Sequence, residues 1–204
     1  MEKLTRIIMF QAFVLNRCKN VYIGNLSFRD RSQTHLSLER SVWVLISNIS
    51  IRAPQQSPNT DGMHLQQSRY VSIEDSHIRT GDDFVSIGDD SSYLYVRGDP
   101  MRPRSGDKGG RGYVRNILFD RINMIASDHP IIIDQNYRDH EIRCRNQSWA
   151  VQIKTSCTGT LCGTSLTEKA GQIMCSQMHP CRDICMEDIN LTLTREATQP
   201  VLSA

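Results

Sequence analysis

Three aspartates in two short motifs, Asn59-Thr60-Asp61-Gly62 and Thr80-Gly81-Asp82-Asp83, have the side chains and the spacing for acid/base chemistry. Asp82 lies 21 residues after Asp61, and Asp83 lies 22 after it. If the chain coils with a period near that spacing, the three carboxylates stand on adjacent coils, one strand spacing of ~4.8 Å apart. Carboxylates packed together raise one another's pKa, so one can stay protonated near neutrality while another acts as a base. The chemistry on offer is protonation of a leaving group and activation of a water.

A coil of that period is written into the apolar pattern. The template apolar-x-apolar-x-x-apolar-x-apolar fits Val21, Ile23, Leu26, Phe28 and then Val44, Ile46, Ile49, Ile51. It returns at Val71, Ile73, Ser76, Ile78, survives by half at Leu94 and Val96, and is complete at Ile117, Phe119, Ile122, Met124. A last copy is Ile184, Met186, Ile189, Leu191. The starts are separated by 23, 27, 23 and 23 residues, and the final step of 67 predicts about three more periods. Each unit is two short alternating strands with a break in step at Gly24-Asn25, Ser47-Asn48, Glu74-Asp75, Asp120-Arg121 and Glu187-Asp188. Alternation marks half-buried strands, and the break changes which residues face inward. A strand-only repeat of this length predicts an all-β chain folded as a right-handed parallel β-helix. An antiparallel sandwich is the alternative, but the hairpin dipeptides it needs between strands are missing.

Length and composition fit one solenoid domain over 1–204, with 39% apolar and 23% charged residues. A net charge of +2 does not call for nucleic acid, and no apolar stretch is long enough to span a membrane. The segment 97–115, rich in Gly, Pro, Arg and Lys, reads as a solvated loop interrupting the repeat. The chain is expected to act as a monomer.

Six of the seven cysteines, Cys144, Cys157, Cys162, Cys175, Cys181 and Cys185, crowd the last third. They predict a disulfide-stapled C-terminal region over 140–204, with Cys175 and Cys181 as the expected pair. A zinc site would need Cys-x2-Cys pairs at finger spacing, which are not there. Asn25, Asn48, Asn146 and Asn190 head Asn-x-Ser/Thr triplets, which together with the cysteines lean towards an extracellular protein. The apolar run Ile7 to Leu15 is followed by no small-residue cleavage site, so it reads as an early coil rather than a signal peptide. On that reading the chain begins inside the solenoid.

Ser57-Pro58-Asn59-Thr60-Asp61-Gly62 followed by Thr80-Gly81-Asp82-Asp83 resembles the signature of the plant-type polygalacturonases, glycoside hydrolase family 28. His129-Pro130-Ile131-Ile132-Ile133-Asp134-Gln135 and the Cys175 to Cys181 segment extend the resemblance, which runs from about residue 4 to residue 194. It implies a pectin hydrolase that cleaves α-1,4-galacturonosyl bonds of polygalacturonate with inversion, in the cell wall and without a cofactor. Asp82 would be the general acid, with Asp61 and Asp83 orienting the water. Inverting enzymes hold acid and base about 6.5–9.5 Å apart, and residues on adjacent coils are expected to meet that separation.

Two family motifs are absent between the Gly-Asp-Asp and His-Pro-Ile-Ile-Ile-Asp segments. One is Gly-His-Gly, whose histidine lies beside the acid, and the other is Arg-Ile-Lys, which grips the substrate carboxylate. Two to three coils are therefore expected to be missing. The family cysteine after Gly-Asp-Asp is Phe84 here. Gln152-Ile153-Lys154 does not replace Arg-Ile-Lys, because it follows the His129–Gln135 segment and lacks a bidentate first residue. His129 and His140 fall in the wrong coils, while His64 is expected either to line the cleft or to be solvated. Gly88-Asp89-Asp90 misses the register of Asp61 and reads as a loop. A lyase-like β-helix holding calcium through the carboxylates would need a base at coil spacing from Asp82, and none is placed there. The reading that remains beside a hydrolase is a non-catalytic pectin-binding or vestigial β-helix.

Overall fold

The computed structural model describes residues 7–9, 12–30, 33–54, 60–98, 103–105, 112–135 and 151–194. The described chain is all strand, paired in parallel, and it winds through three walls. One wall stacks Phe13–Asn16, Leu36–Glu39, Met63–Gln66, Val85–Ile87, Pro103–Ser105, Ile131–Asp134 and Gly171–Met174. The next stacks Lys19–Gly24, Val42–Ser47, Arg69–Glu74, Ser91–Gly98, Tyr113–Ser127, Gln152–Thr158 and Arg182–Met186. The third stacks Ile7–Met9, Leu26–Arg29, Ser50–Arg52 and His77–Arg79. The fold is a parallel β-helix, as the repeat predicts.

The register explains the apolar template. Val21, Val44, Val71, Leu94 and Ile117 are partners on successive strands, so each apolar position stacks on its counterpart one coil away. The inward columns are buried: Leu36, Met63 and Val85 form one, and Leu38, Leu65 and Ile87 another. The break in step also has a backbone cause. Its second residue takes a left-handed conformation each time, with φ of 59° at Asn25, 49° at Asn48, 47° at Asp75, 50° at Arg121 and 50° at Asp188. Asn and Asp tolerate that region best, which accounts for the polar residues at most of these corners. The Asn48 side-chain amide also donates to the Asn25 side chain at 2.6 Å, so two of the Asn-x-Ser triplets form part of a corner ladder.

Two expectations need correction. From Ile117 the column runs to Ser156 and then directly to Ile184, which is two coil steps and not three. The polar Ser156 hides the intermediate coil from an apolar count, and the stretch before it contains residues 136–150, outside the described set. Within 97–115, Pro103–Ser105 is a strand between Val85–Ile87 and Ile131–Asp134, so that segment supplies a rung of the wall. Among the described residues two disulfides close the later coils: the expected Cys175–Cys181, and Cys157–Cys185 between register partners. Cys144, His140 and Asn146 lie outside the described residues.

Candidate active site

The three aspartates sit where two turns lead into neighbouring strands of one wall. Asp61 precedes Met63–Gln66, and Thr80 to Asp83 connect His77–Arg79 to Val85–Ile87. Met63 and Val85 are register partners, which brings the two turns level. Main-chain bonds lock them together: Gly62 N–H donates to Asp83 O at 2.7 Å, and Met63 N–H donates to Phe84 O at 2.9 Å. The fully buried Thr60 adds a side-chain tie, its hydroxyl oxygen accepting from Gly81 N–H at 3.0 Å. Gly62 is required by this closeness, since a Cβ there would lie 2.4 Å from Ile78 Cγ2 and 2.5 Å from Phe84 O.

The carboxylates converge. One oxygen from each of Asp61, Asp82 and Asp83 lies within 4.8 Å of the others. Asp83 is buried, while Asp61 and Asp82 are half-buried. The 4.8 Å figure bounds one oxygen of each group and is a different measure from the about 6.5–9.5 Å between the whole carboxyl groups of an inverting acid and base. Asp82 and Asp83 are neighbours in one turn, and the adjacent coil carries Asp61, with strands about 4.8 Å apart. At 4.8 Å a single water can hydrogen-bond to two of the oxygens at once, since each O···O bond spans about 2.7–2.8 Å.

Two residues that the motifs do not mark complete the surroundings. His35, buried one coil earlier, holds the Asp61 carbonyl through its backbone N–H at 3.0 Å and through Nδ1 at 2.9 Å. A carbonyl only accepts, so His35 carries a proton on Nδ1. Ser86 hydrogen-bonds to both Asp61 and His64. His64 is half-buried on the same wall, whereas Asp89 and Asp90 form the next turn, where Asp89 accepts from the Gln66 side chain at 2.9 Å. Asn59 lies outside the described residues. On the far side of the acidic coil a single strand, Pro103–Ser105, separates it from Ile131–Asp134 of the His129–Gln135 segment.

The model of the glycosyl hydrolases family 28 matches residues 8–103 and 101–201, nearly the whole chain. The chain belongs to that family. As a family 28 member it is 33% identical to a polygalacturonase of Malus domestica over 217 residues, 88% of the chain and 47% of that relative. It is likewise 33% identical to polygalacturonase-2 of Solanum lycopersicum over 210 residues, 85% of the chain and 46% of the relative. The chain thus spans about half the length of the curated relatives it matches. A solved exopolygalacturonase of Thermotoga maritima shares the fold, with a TM-score of 0.59 at 19% identity over 88% of this chain and 49% of that one. The family 28 assignment and the β-helix therefore agree.

Proposed function

We propose that the chain is a polygalacturonase-type glycoside hydrolase that cleaves α-1,4-galacturonosyl bonds of pectin. The observation that carries this reading is the approach of the Asp61, Asp82 and Asp83 oxygens to within 4.8 Å across two coils. Asp82 acts as general acid and protonates the glycosidic oxygen as its bond to the anomeric carbon breaks. Asp61 and Asp83 share the water that attacks that carbon, and one of them takes its proton. Inversion rests on the family resemblance, not on the carboxylate separation, and the anomer first released, read by proton NMR, decides it. The family's Gly-His-Gly and Arg-Ile-Lys motifs are absent from the sequence. Positioning and electrostatics supply much of catalysis, so turnover by this chain is expected to be slow.

The decisive assay is release of reducing ends from polygalacturonate by the chain and by Asp82→Asn. Losing the acid should cost about 10²–10⁴-fold. Equal rates would remove Asp82 from the mechanism. The second reading, a pectin-binding protein without turnover, is favoured by the missing cationic motif. It predicts retention on immobilised polygalacturonate with no product formed.

We place the protein outside the cell, in the wall, acting as a monomer. Two disulfides support that compartment, because such bonds persist in oxidising surroundings. Fractionation of the tissue with a specific antibody tests the location, and gel filtration tests the monomer. No helix of the described residues is long and apolar enough to cross a membrane.

A further inference from the structure

His64 and Ser86 are register partners on adjacent strands of the wall that carries the aspartates. His64 Nδ1 lies 2.8 Å from the Ser86 hydroxyl oxygen, and that oxygen lies 3.1 Å from Asp61 Oδ2. The direction of this chain of bonds follows from proton count. An ionised carboxylate only accepts, and a serine hydroxyl has one proton to give. If that proton points at Asp61, Ser86 must accept from His64, and the imidazole must carry its proton on Nδ1. The reverse direction would set hydroxyl lone pairs against the Asp61 carboxylate at 3.1 Å, which requires a protonated Asp61. The other acceptor within reach of Ser86, the Met63 carbonyl, is farther away at 3.4 Å.

We infer that His64 is a positioning residue that acts through Ser86 to hold Asp61 ionised and aimed at the water. Bonds donated to the charged form of a carboxylate favour that form. The side chain of Asp61 is thereby fixed from one side, while His35 fixes its main chain from the coil before. His64 does not stand in for the missing histidine, which by resemblance lies beside the acid. It serves a carboxylate on the water side. This inference rests on the hydrolase reading for its kinetic consequence and not for its geometry.

Two measurements test it. The first needs no variant: long-range proton–nitrogen correlation spectra of ¹⁵N-labelled protein, at a pH where the imidazole is neutral, show which ring nitrogen of His64 is protonated. The expected result is Nδ1–H in the wild type, with that preference lost in Ser86→Ala. An Nε2–H tautomer in the wild type overturns the inference. The second is kinetic. His64→Leu and Ser86→Ala should each lower kcat on polygalacturonate by roughly tenfold with KM nearly unchanged, and the double variant should lose no more than either single one. His64→Asn, which keeps an N–H near the Nδ1 position, should recover most of the rate. Equal losses in the Leu and Asn variants, or a raised KM at unchanged kcat, overturn the positioning role. If the wild type turns over no polygalacturonate, the hydrolase reading fails, and the tautomer alone decides the donor chain.

Discussion

The amide of Gly62 donates to the carbonyl of Asp83 across 2.7 Å, so the two acidic motifs are bound main chain to main chain. The contact leaves no room for a side chain at Gly62, where a Cβ would lie 2.5 Å from Phe84 O and 2.4 Å from Ile78 Cγ2. Gly62→Ala must therefore push the two turns apart. Overpacking of this kind costs about 1–3 kcal/mol, measured as a lower urea midpoint. Any hydrolysis should fall with it, because Asp61 would move relative to Asp83. A variant with unchanged midpoint and rate would show that the turns are not held by this contact.

A second set of ties sits at the corner between the first two walls. Ser68 accepts from Ser41 N–H at 3.1 Å and donates to Gln66 O at 2.9 Å, fully buried. Ser41 repeats the pattern one coil earlier, accepting from Cys18 N–H at 3.2 Å and donating to Glu39 O at 3.0 Å. Ser68→Ala leaves a buried backbone donor without its partner, which is expected to cost about 1–3 kcal/mol in denaturant unfolding. Ser68→Thr, which keeps the hydroxyl, should lose less.

These corners show what the sequence conceals. The apolar columns are legible because inward residues recur with near-constant spacing. The corner serines recur just as faithfully, in Glu39-Arg40-Ser41, Gln66-Gln67-Ser68 and Asp89-Asp90-Ser91, yet polar triplets look like any turn. Each middle residue is left-handed, with φ of 50° at Arg40, 52° at Gln67 and 52° at Asp90. The meeting of Asp61 with Asp82 and Asp83 follows from a spacing close to the coil period. Ser86 gives no such signal, because a serine between Val85 and Ile87 fits plain strand alternation. The Cys157–Cys185 pair is hidden for another reason: cysteine order does not reveal which strands are neighbours, and only the register makes these two partners.

Those two disulfides should differ in worth. Cys157–Cys185 closes a separation of 28 residues and Cys175–Cys181 one of 6. The loop-closure model gives about 3.5 kcal/mol for the first and about 2 kcal/mol for the second. Denaturant unfolding of Cys157→Ser/Cys185→Ser and Cys175→Ser/Cys181→Ser double variants should show the larger loss in the former. The reverse order would mean that the unfolded-chain entropy does not set their contribution.

On the outer surface Tyr70 lies between Trp43 and Tyr93, with ring centroids 4.2 and 4.8 Å away and planes within 14° of parallel. All three residues are left-handed, with φ of 60°, 57° and 57°. That conformation is unfavourable for bulky side chains, and the stack offsets it. Tyr70→Ala should lose about 1–3 kcal/mol through two broken ring pairs. Tyr70→Asn should lose less, since asparagine accepts the backbone conformation. Thermal unfolding ranks the variants, and a red shift in fluorescence from the uncovered Trp43 reports the broken stack. Full stability in Tyr70→Ala would show that the stack adds nothing.

The coil-to-coil hydrogen bonds, from Gly81 to Thr60 and from Ser41 to Ser68, span 21 and 27 residues. No ladder bond of this kind returns until a whole circuit of chain has been closed, so the first two coils must become ordered together. That step carries the entropy of closing a long loop. Each later coil then finds a finished template beside it and adds one circuit at a time. Folding of this molecule is consequently a matter of starting and not of spreading: a high barrier to the first circuit pair, then a run downhill along the axis.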